Sequence, residues 1–185
     1  MLVLESGNIY HKWFNSVFES SPMVELHVNN VDCKYVDKLD SFEIRGKADD
    51  YIYFKIKKIL GLKEEKEDKM KYDAVALIEI KTVRNVSSIF EPKLHHEMQL
   101  QFYLDRFNLS AGFVVYVDRR DLKFKVFEVI FNRSIVKELI ERARKLHRCL
   151  VSGKLPEAEA KGTWQCTYCS FRQECVLEKN LKGGN

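Results

Sequence analysis

A chain of 185 residues with 45% hydrophobic content can bury one sizeable core and a small appendage, yet no stretch stays apolar long enough to span a bilayer. With no signal-peptide pattern at the start, this predicts a soluble cytoplasmic protein with no membrane partner. A net charge of +4 permits contact with nucleic acid without requiring it, and five cysteines, odd in number and clustered, favour metal binding or reduced thiols over a disulfide framework.

Residues 6–20, "SGNIYHKWFNSVFES", predict a first helix. Ser6 is placed to cap it, Ile9, Trp13, Phe14, Val17 and Phe18 recur at helical spacing, and Pro22 closes it. "MVELHVNN" and "CKYVDKL" alternate and are rich in β-branched residues, which predicts short strands on either side of Asn29–Asn30. Residues 41–56 read as a longer strand interrupted by Gly46, and residues 57–72, mostly charged, as an exposed excursion. The nearly continuous apolar run at 73–83, "DAVALIEIKTV", predicts a strand buried on both faces. After Pro92, helical spacing runs through Leu94, Met98, Gln101, Phe102 and Phe107. "AGFVVYVDRR" and "KFKVFEVIF" predict a hairpin or neighbouring strands; an amphipathic helix follows, with Ser134 as its cap and Gly153 as its stop. The order describes an α/β core, residues 1–155, with a C-terminal cysteine-rich appendage, residues 156–185, packed on it.

Chemistry concentrates in the two best strands. "GKADD" sets Asp49 three positions after Gly46, and "IEIK" sets Glu79 two positions before Lys81. Residues two apart on a strand share a face, so Glu79 and Lys81 emerge together from an otherwise apolar run. Burying that pair is costly unless it meets a polar cleft, a partner or a metal. If Asp49 joins them, two carboxylates can hold a hard divalent cation and the amine can steady developing phosphoryl charge. An ordinary cross-strand ion pair would equally account for Glu79 and Lys81 taken alone. Gln99 and Tyr103 stand one helical turn apart on one face, and His11 lies on the first helix; singly, each is as well explained by packing.

In this order the residues resemble the PD-(D/E)XK nuclease superfamily, in its RecB-like branch. His11 matches that branch's helical histidine, "GKAD" its glycine-x-x-aspartate, "EIK" its E-x-K and "QLQFY" its Q-x-x-x-Y. The tail "CTYCSFRQEC" is similar to the C-x-x-C…C that closes an iron–sulfur cluster in the CRISPR-associated Cas-four exonucleases. The resemblance implies a restriction-endonuclease-like core, a mixed central sheet flanked by helices. It implies that His11, Asp49, Glu79 and the Ile80 carbonyl ligate catalytic Mg²⁺ or Mn²⁺, that Lys81 orients or activates the attacking water, and that Gln99 and Tyr103 support Lys81 or position the DNA backbone. The implied reaction is hydrolysis of DNA phosphodiesters at single-stranded ends. The implied role is trimming of spacer precursors beside the CRISPR integration proteins, in antiviral defence.

The tail supplies Cys166, Cys169 and Cys175, with Trp164, Tyr168 and Phe171 interleaved. A [4Fe–4S] cluster needs a fourth ligand, which relatives carry upstream of the helical histidine; this chain has no cysteine there. An absent segment, replacement by Cys33, and replacement by Cys149 all remain open, as do zinc at a three-cysteine site and plain thiols or a disulfide. Two further functions share the residues: a viral or mobile-element recombination nuclease, and a non-catalytic DNA- or protein-binding module on a nuclease fold. Residues 84–88 and 118–123, together with Arg142, Lys145 and Arg148, offer cations for phosphate contact or simply for a solvated face.

Overall fold

The computed structural model describes residues 2–22, 24–54, 74–157 and 164–174. Its elements are α1 (Leu2–Ser20), β1 (Val24–Asp37), β2 (Phe42–Phe54), β3 (Ala74–Val83), a 3₁₀ turn (Val86–Ser88), α2 (Leu94–Phe107), β4 (Ala111–Asp118), β5 (Phe124–Ile130), α3 (Arg133–Ser152) and α4 (Trp164–Thr167). Two compact units divide the chain within α3, Met1–Ala143 and Arg144–Asn185. The charged excursion predicted at 57–72 lies outside the described residues.

The first unit is a five-stranded mixed sheet in the order β1-β2-β3-β4-β5. All neighbours are antiparallel except β3 and β4, whose parallel pairing requires a crossover, supplied by α2. The central strands β3 and β4 are the most apolar, as expected where both faces are covered. On one face Leu100, Phe102, Tyr103 and Leu104 of α2 pack with Ala48, Leu77, Val114 and Tyr116. On the other, Phe14 of α1 packs with Ile52, Ile78, Ile80, Val115 and Val117. Gln101 is fully buried between them in sequence, its amide donating to the Ile130 carbonyl at 2.7 Å and accepting from the Asn132 amide at 2.7 Å. It locks α2 to the end of β5, so its place in the helical pattern is earned by hydrogen bonds rather than by apolar surface.

Three local expectations are corrected. α1 begins at Leu2, so Ser6 lies inside the helix and does not cap it; the preceding "LVLE" continues the turn. The two short strands about Asn29–Asn30 are one strand of 14 residues, because Asn30 absorbs the turn signal in a left-handed conformation (φ 52°) that asparagine tolerates. The cap of α3 is Asn132, whose side chain accepts the Ser134 amide at 3.0 Å, while Gly153 ends the helix at φ +66° as its composition suggests.

Gly46 runs inside β2 rather than breaking it. A Cβ there would stand 2.6 Å from Cε1 of Tyr103, so the bare backbone is what lets the Tyr103 ring lie against the strand.

Candidate active site

The site forms where β2 and β3 part. Their antiparallel ladder runs from Phe54↔Ala74 to Asp50↔Ile78 and stops. One residue further on, the Asp49 carboxylate takes the place of a backbone partner, accepting the Ile80 amide at 2.8 Å. A regular strand would send Ala48 and Ile52 to the same face. Here Ala48 belongs to the α2-side core and Ile52 to the α1-side core, so β2 turns over between them. Register places Asn30 opposite this turn, since Asn29 faces Asp50 and Val31 faces Ala48. The left-handed Asn30 and the end of the β2–β3 ladder thus coincide at the residue that carries the first carboxylate.

Glu79 and Lys81 point out of β3 on the same side, and Lys81 Nζ donates to Glu79 Oε1. Glu79 is 1% exposed, and its second oxygen, Oε2, is buried with no hydrogen-bond partner. Burial, and after it the charge of Asp49, pushes the Glu79 carboxyl up to about 7 against the pull of Lys81. A buried acceptor with an idle lone pair beside a second carboxylate is a costly arrangement for the fold alone. It is a suitable one for a cation.

His11, on α1, brings Nδ1 to 3.9 Å from Asp49 Oδ1 and stays about one third exposed at the rim. Gln99 donates to the Tyr103 hydroxyl at 3.0 Å, so the two residues of α2 engage each other rather than Lys81. The Tyr103 hydroxyl is pushed up to about 12, mainly by burial, with the nearby charge of Glu79 adding to it. It therefore stays protonated and can donate at neutral pH. The structure brings Asp49, Glu79, Lys81 and the Ile80 backbone together, with His11 beside Asp49 and Gln99–Tyr103 on the α2 flank.

No family model matches the chain. Over 100 residues it is 32% identical to the CRISPR-associated exonuclease Cas4 of Saccharolobus solfataricus. The chain is a distant homologue of Cas4. The match spans 54% of this chain and 43% of that Cas4, so less than half of the curated relative is represented. The crystal structure of SSO0001 superposes with a TM-score of 0.59 and 24% identity, covering 91% of this chain and 67% of that one, which establishes a shared fold. The α/β architecture of a mixed sheet flanked by helices follows from both the described elements and that likeness.

The donor set would fit a divalent cation. Asp49 lies beside Glu79 and has the His11 imidazole 3.9 Å away, and the unpartnered Glu79 Oε2 is an oxygen without other employment. Among the described residues no three His, Cys, Asp or Glu side chains are already gathered as a cage. Asp49 is occupied by the Ile80 amide and Glu79 Oε1 by Lys81, contacts that a cation would have to share.

The cysteines of this Cas4 homologue fall apart into two groups. Cys33 is buried in the α2-side core of the first unit, where burial raises its thiol pKa. Cys149 of α3, Cys166 of α4 and the exposed Cys169 belong to the second unit. Cys175 lies outside the described residues, so the described tail holds two of the three predicted thiols and no complete cluster ligand set.

Sequence reasoning missed a second polar group under α1. His27 Nε2 lies 2.6 Å from Asp50 Oδ1, with both side chains almost wholly buried (2% and 1% exposed). With its amide oriented to satisfy its neighbours, Asn15 of α1 donates to Asp50 Oδ1 at 3.0 Å and to the His11 carbonyl at 3.1 Å, and accepts from Asn29 at 3.1 Å. This ties α1, and so the backbone of His11, to β1 and β2. The only hint in the sequence was the second aspartate of "GKADD".

Proposed function

We propose that this chain is a metal-dependent deoxyribonuclease of the Cas4 type, hydrolysing phosphodiesters at single-stranded DNA ends. The observation that carries the reading is the meeting of Asp49, Glu79 and Lys81 at the end of the β2–β3 ladder, with Glu79 Oε2 buried and unpartnered. Asp49 and Glu79, with His11 and the Ile80 carbonyl, would hold Mg²⁺ or Mn²⁺. When bound there, the cation supplies Lewis-acid polarisation of the scissile phosphate. Lys81, steered by Glu79, presents an ammonium to the attacking water and to the charge that builds on phosphorus-bound oxygen. The Tyr103 hydroxyl, held by Gln99, is a fixed donor for a phosphate oxygen of the bound strand.

On this reading Cys166, Cys169 and Cys175 bind an iron–sulfur cluster or zinc that shapes the 156–185 appendage and takes no part in hydrolysis. The biological role is trimming of DNA ends for spacer acquisition, with the CRISPR integration proteins as partners. Among the described residues no helix is long and apolar enough to cross a membrane.

The test is cleavage of end-labelled single-stranded DNA with Mg²⁺ or Mn²⁺, with and without chelator, by wild type, Glu79→Ala and Lys81→Ala. Loss of activity on the order of a hundredfold or more is expected for each variant, with the fold retained by circular dichroism. Wild-type activity in either variant refutes the assignment. DNA binding without cleavage by the wild-type protein would instead support the non-catalytic binding module.

A further inference from the structure

Beside the candidate active site lies a cleft of about 400 Å³, bounded by β2, α2 and the first half of α3. Its walls are apolar, built by Ile44 from β2, Met98 and Phe102 from α2, and Leu139 from α3. Arg45 and Arg142 also line it. Arg45 is largely exposed (78%) and paired with Glu43 at 2.7 Å, and Arg142 is an exposed residue of α3 that reaches Met98 Sδ at 3.9 Å.

The cleft adjoins the α2 flank of the candidate active site. Gln99 and Tyr103, hydrogen-bonded to each other on that flank, both line it. A ligand that reaches Glu79 and Lys81 with one end therefore has the cleft open to its other end. The chemistry of the walls then constrains that end. It must be apolar on its broad faces and carry polar atoms at an edge to meet the Gln99 amide.

Resting on the nuclease reading above, we propose that this cleft is a subsite for the unstacked nucleobase of the nucleotide whose phosphate lies at Glu79 and Lys81. A base offers planar apolar faces common to all four types and hydrogen-bonding edges that differ, so a mostly apolar cleft accepts any of them. Single-stranded ends satisfy the subsite cheaply, because their terminal base has no pairing partner and little stacking to give up. The cleft thereby favours an end over the interior of a duplex. Gly46, which also lines the cleft, lets the Tyr103 ring lie against β2.

The experiment uses the full chain and two substrates, single-stranded oligonucleotides ending in a normal nucleotide or in an abasic one. Wild type is expected to cleave the base-bearing end with a kcat/KM on the order of tenfold above the abasic end. Ala143→Trp, at a lining residue on α3, fills the cleft and is expected to erase that preference by lowering the rate on the base-bearing end to that on the abasic end. In parallel, an oligonucleotide with terminal 2-aminopurine is titrated with protein in chelator, where no cleavage occurs; its emission is expected to change on binding as the base leaves its neighbour's stack. Equal wild-type rates on the two ends overturn the subsite while leaving the nuclease reading intact. If the protein cleaves neither end, the nuclease reading fails, and the 2-aminopurine titration alone decides the subsite: unchanged emission at saturation overturns it. A folded Ala143→Trp protein that keeps the full preference also overturns it.

Discussion

Replacing Glu79 by glutamine tests the electrostatics of the site without reference to catalysis. The carboxyl is buried, faces Asp49, and is raised from 4.5 to about 7 in the folded chain. An acid whose pKa is raised on folding favours the native state while protonated. That contribution is complete below about 4.5 and is lost as the pH rises through about 7. A difference of about 2.5 units at 1.36 kcal/mol each gives about 3 kcal/mol lost across that window. Glutamine keeps the shape and an oxygen for Lys81 but has no proton to lose. In urea unfolding followed by circular dichroism, in chelator, Glu79→Gln should therefore gain about 3 kcal/mol on wild type between pH 4.5 and pH 8. If Glu79 ligates the cation as proposed, adding Mn²⁺ at pH 8 should restore much of the deficit to wild type and little to the variant. Parallel pH profiles for the two proteins in chelator would refute the claim that Glu79 is held at an electrostatic cost.

Gly46→Ala places a methyl 2.6 Å from the Tyr103 ring and 3.4 Å from the Phe102 ring, and should cost about 1–3 kcal/mol of stability by urea denaturation; an unchanged midpoint would mean that Tyr103 moves freely. Asp50→Ala leaves His27 buried without its partner and should cost about 3 kcal/mol. The double variant His27→Leu with Asp50→Leu should lose less than Asp50→Ala alone, and a double-mutant cycle with no coupling would show that the 2.6 Å contact does not stabilise the fold.

The periodic signals in this sequence were reliable wherever one physical cause acted alone. Within the apolar run at 73–83, Ala74–Val83 forms the central β3, and the spacing after Pro92 forms α2, because burial on a regular element leaves a regular pattern. The errors fall where two causes compete. Asn29–Asn30 looked like a turn because asparagine adopts left-handed backbone, and Asn30 does adopt it, but pairing with β2 on both sides outweighs the local signal and the strand continues. Gln101 fits the apolar stripe by its helical position alone; its partners, Ile130 and Asn132, are about thirty residues away and leave no local trace. The pairing of His27 with Asp50 is illegible for the same reason. Each is unremarkable in its own segment, and only the β1–β2 register makes them a pair.

The candidate site was legible as a set of residues but not as a geometry, and the difference lies in β2. Spacing alone puts Glu79 and Lys81 on one face; it cannot say that Asp49 meets them, since neighbouring aspartates on a flat strand would point to opposite sides. The turn-over of β2 between Ala48 and Ile52 resolves this, sending Asp49 to the Ile80 amide and Asp50 to His27 and Asn15. Two adjacent carboxylates thus serve two different ends. One stays partly exposed beside Glu79 and His11, where a cation could reach it; the other is sealed in the packing that holds α1 to the sheet. Because Asn15 also holds the His11 carbonyl, the sealed aspartate fixes the helix that presents the histidine to the exposed one. The doubled aspartate of "GKADD" therefore marks the hinge between the fold and its candidate chemistry.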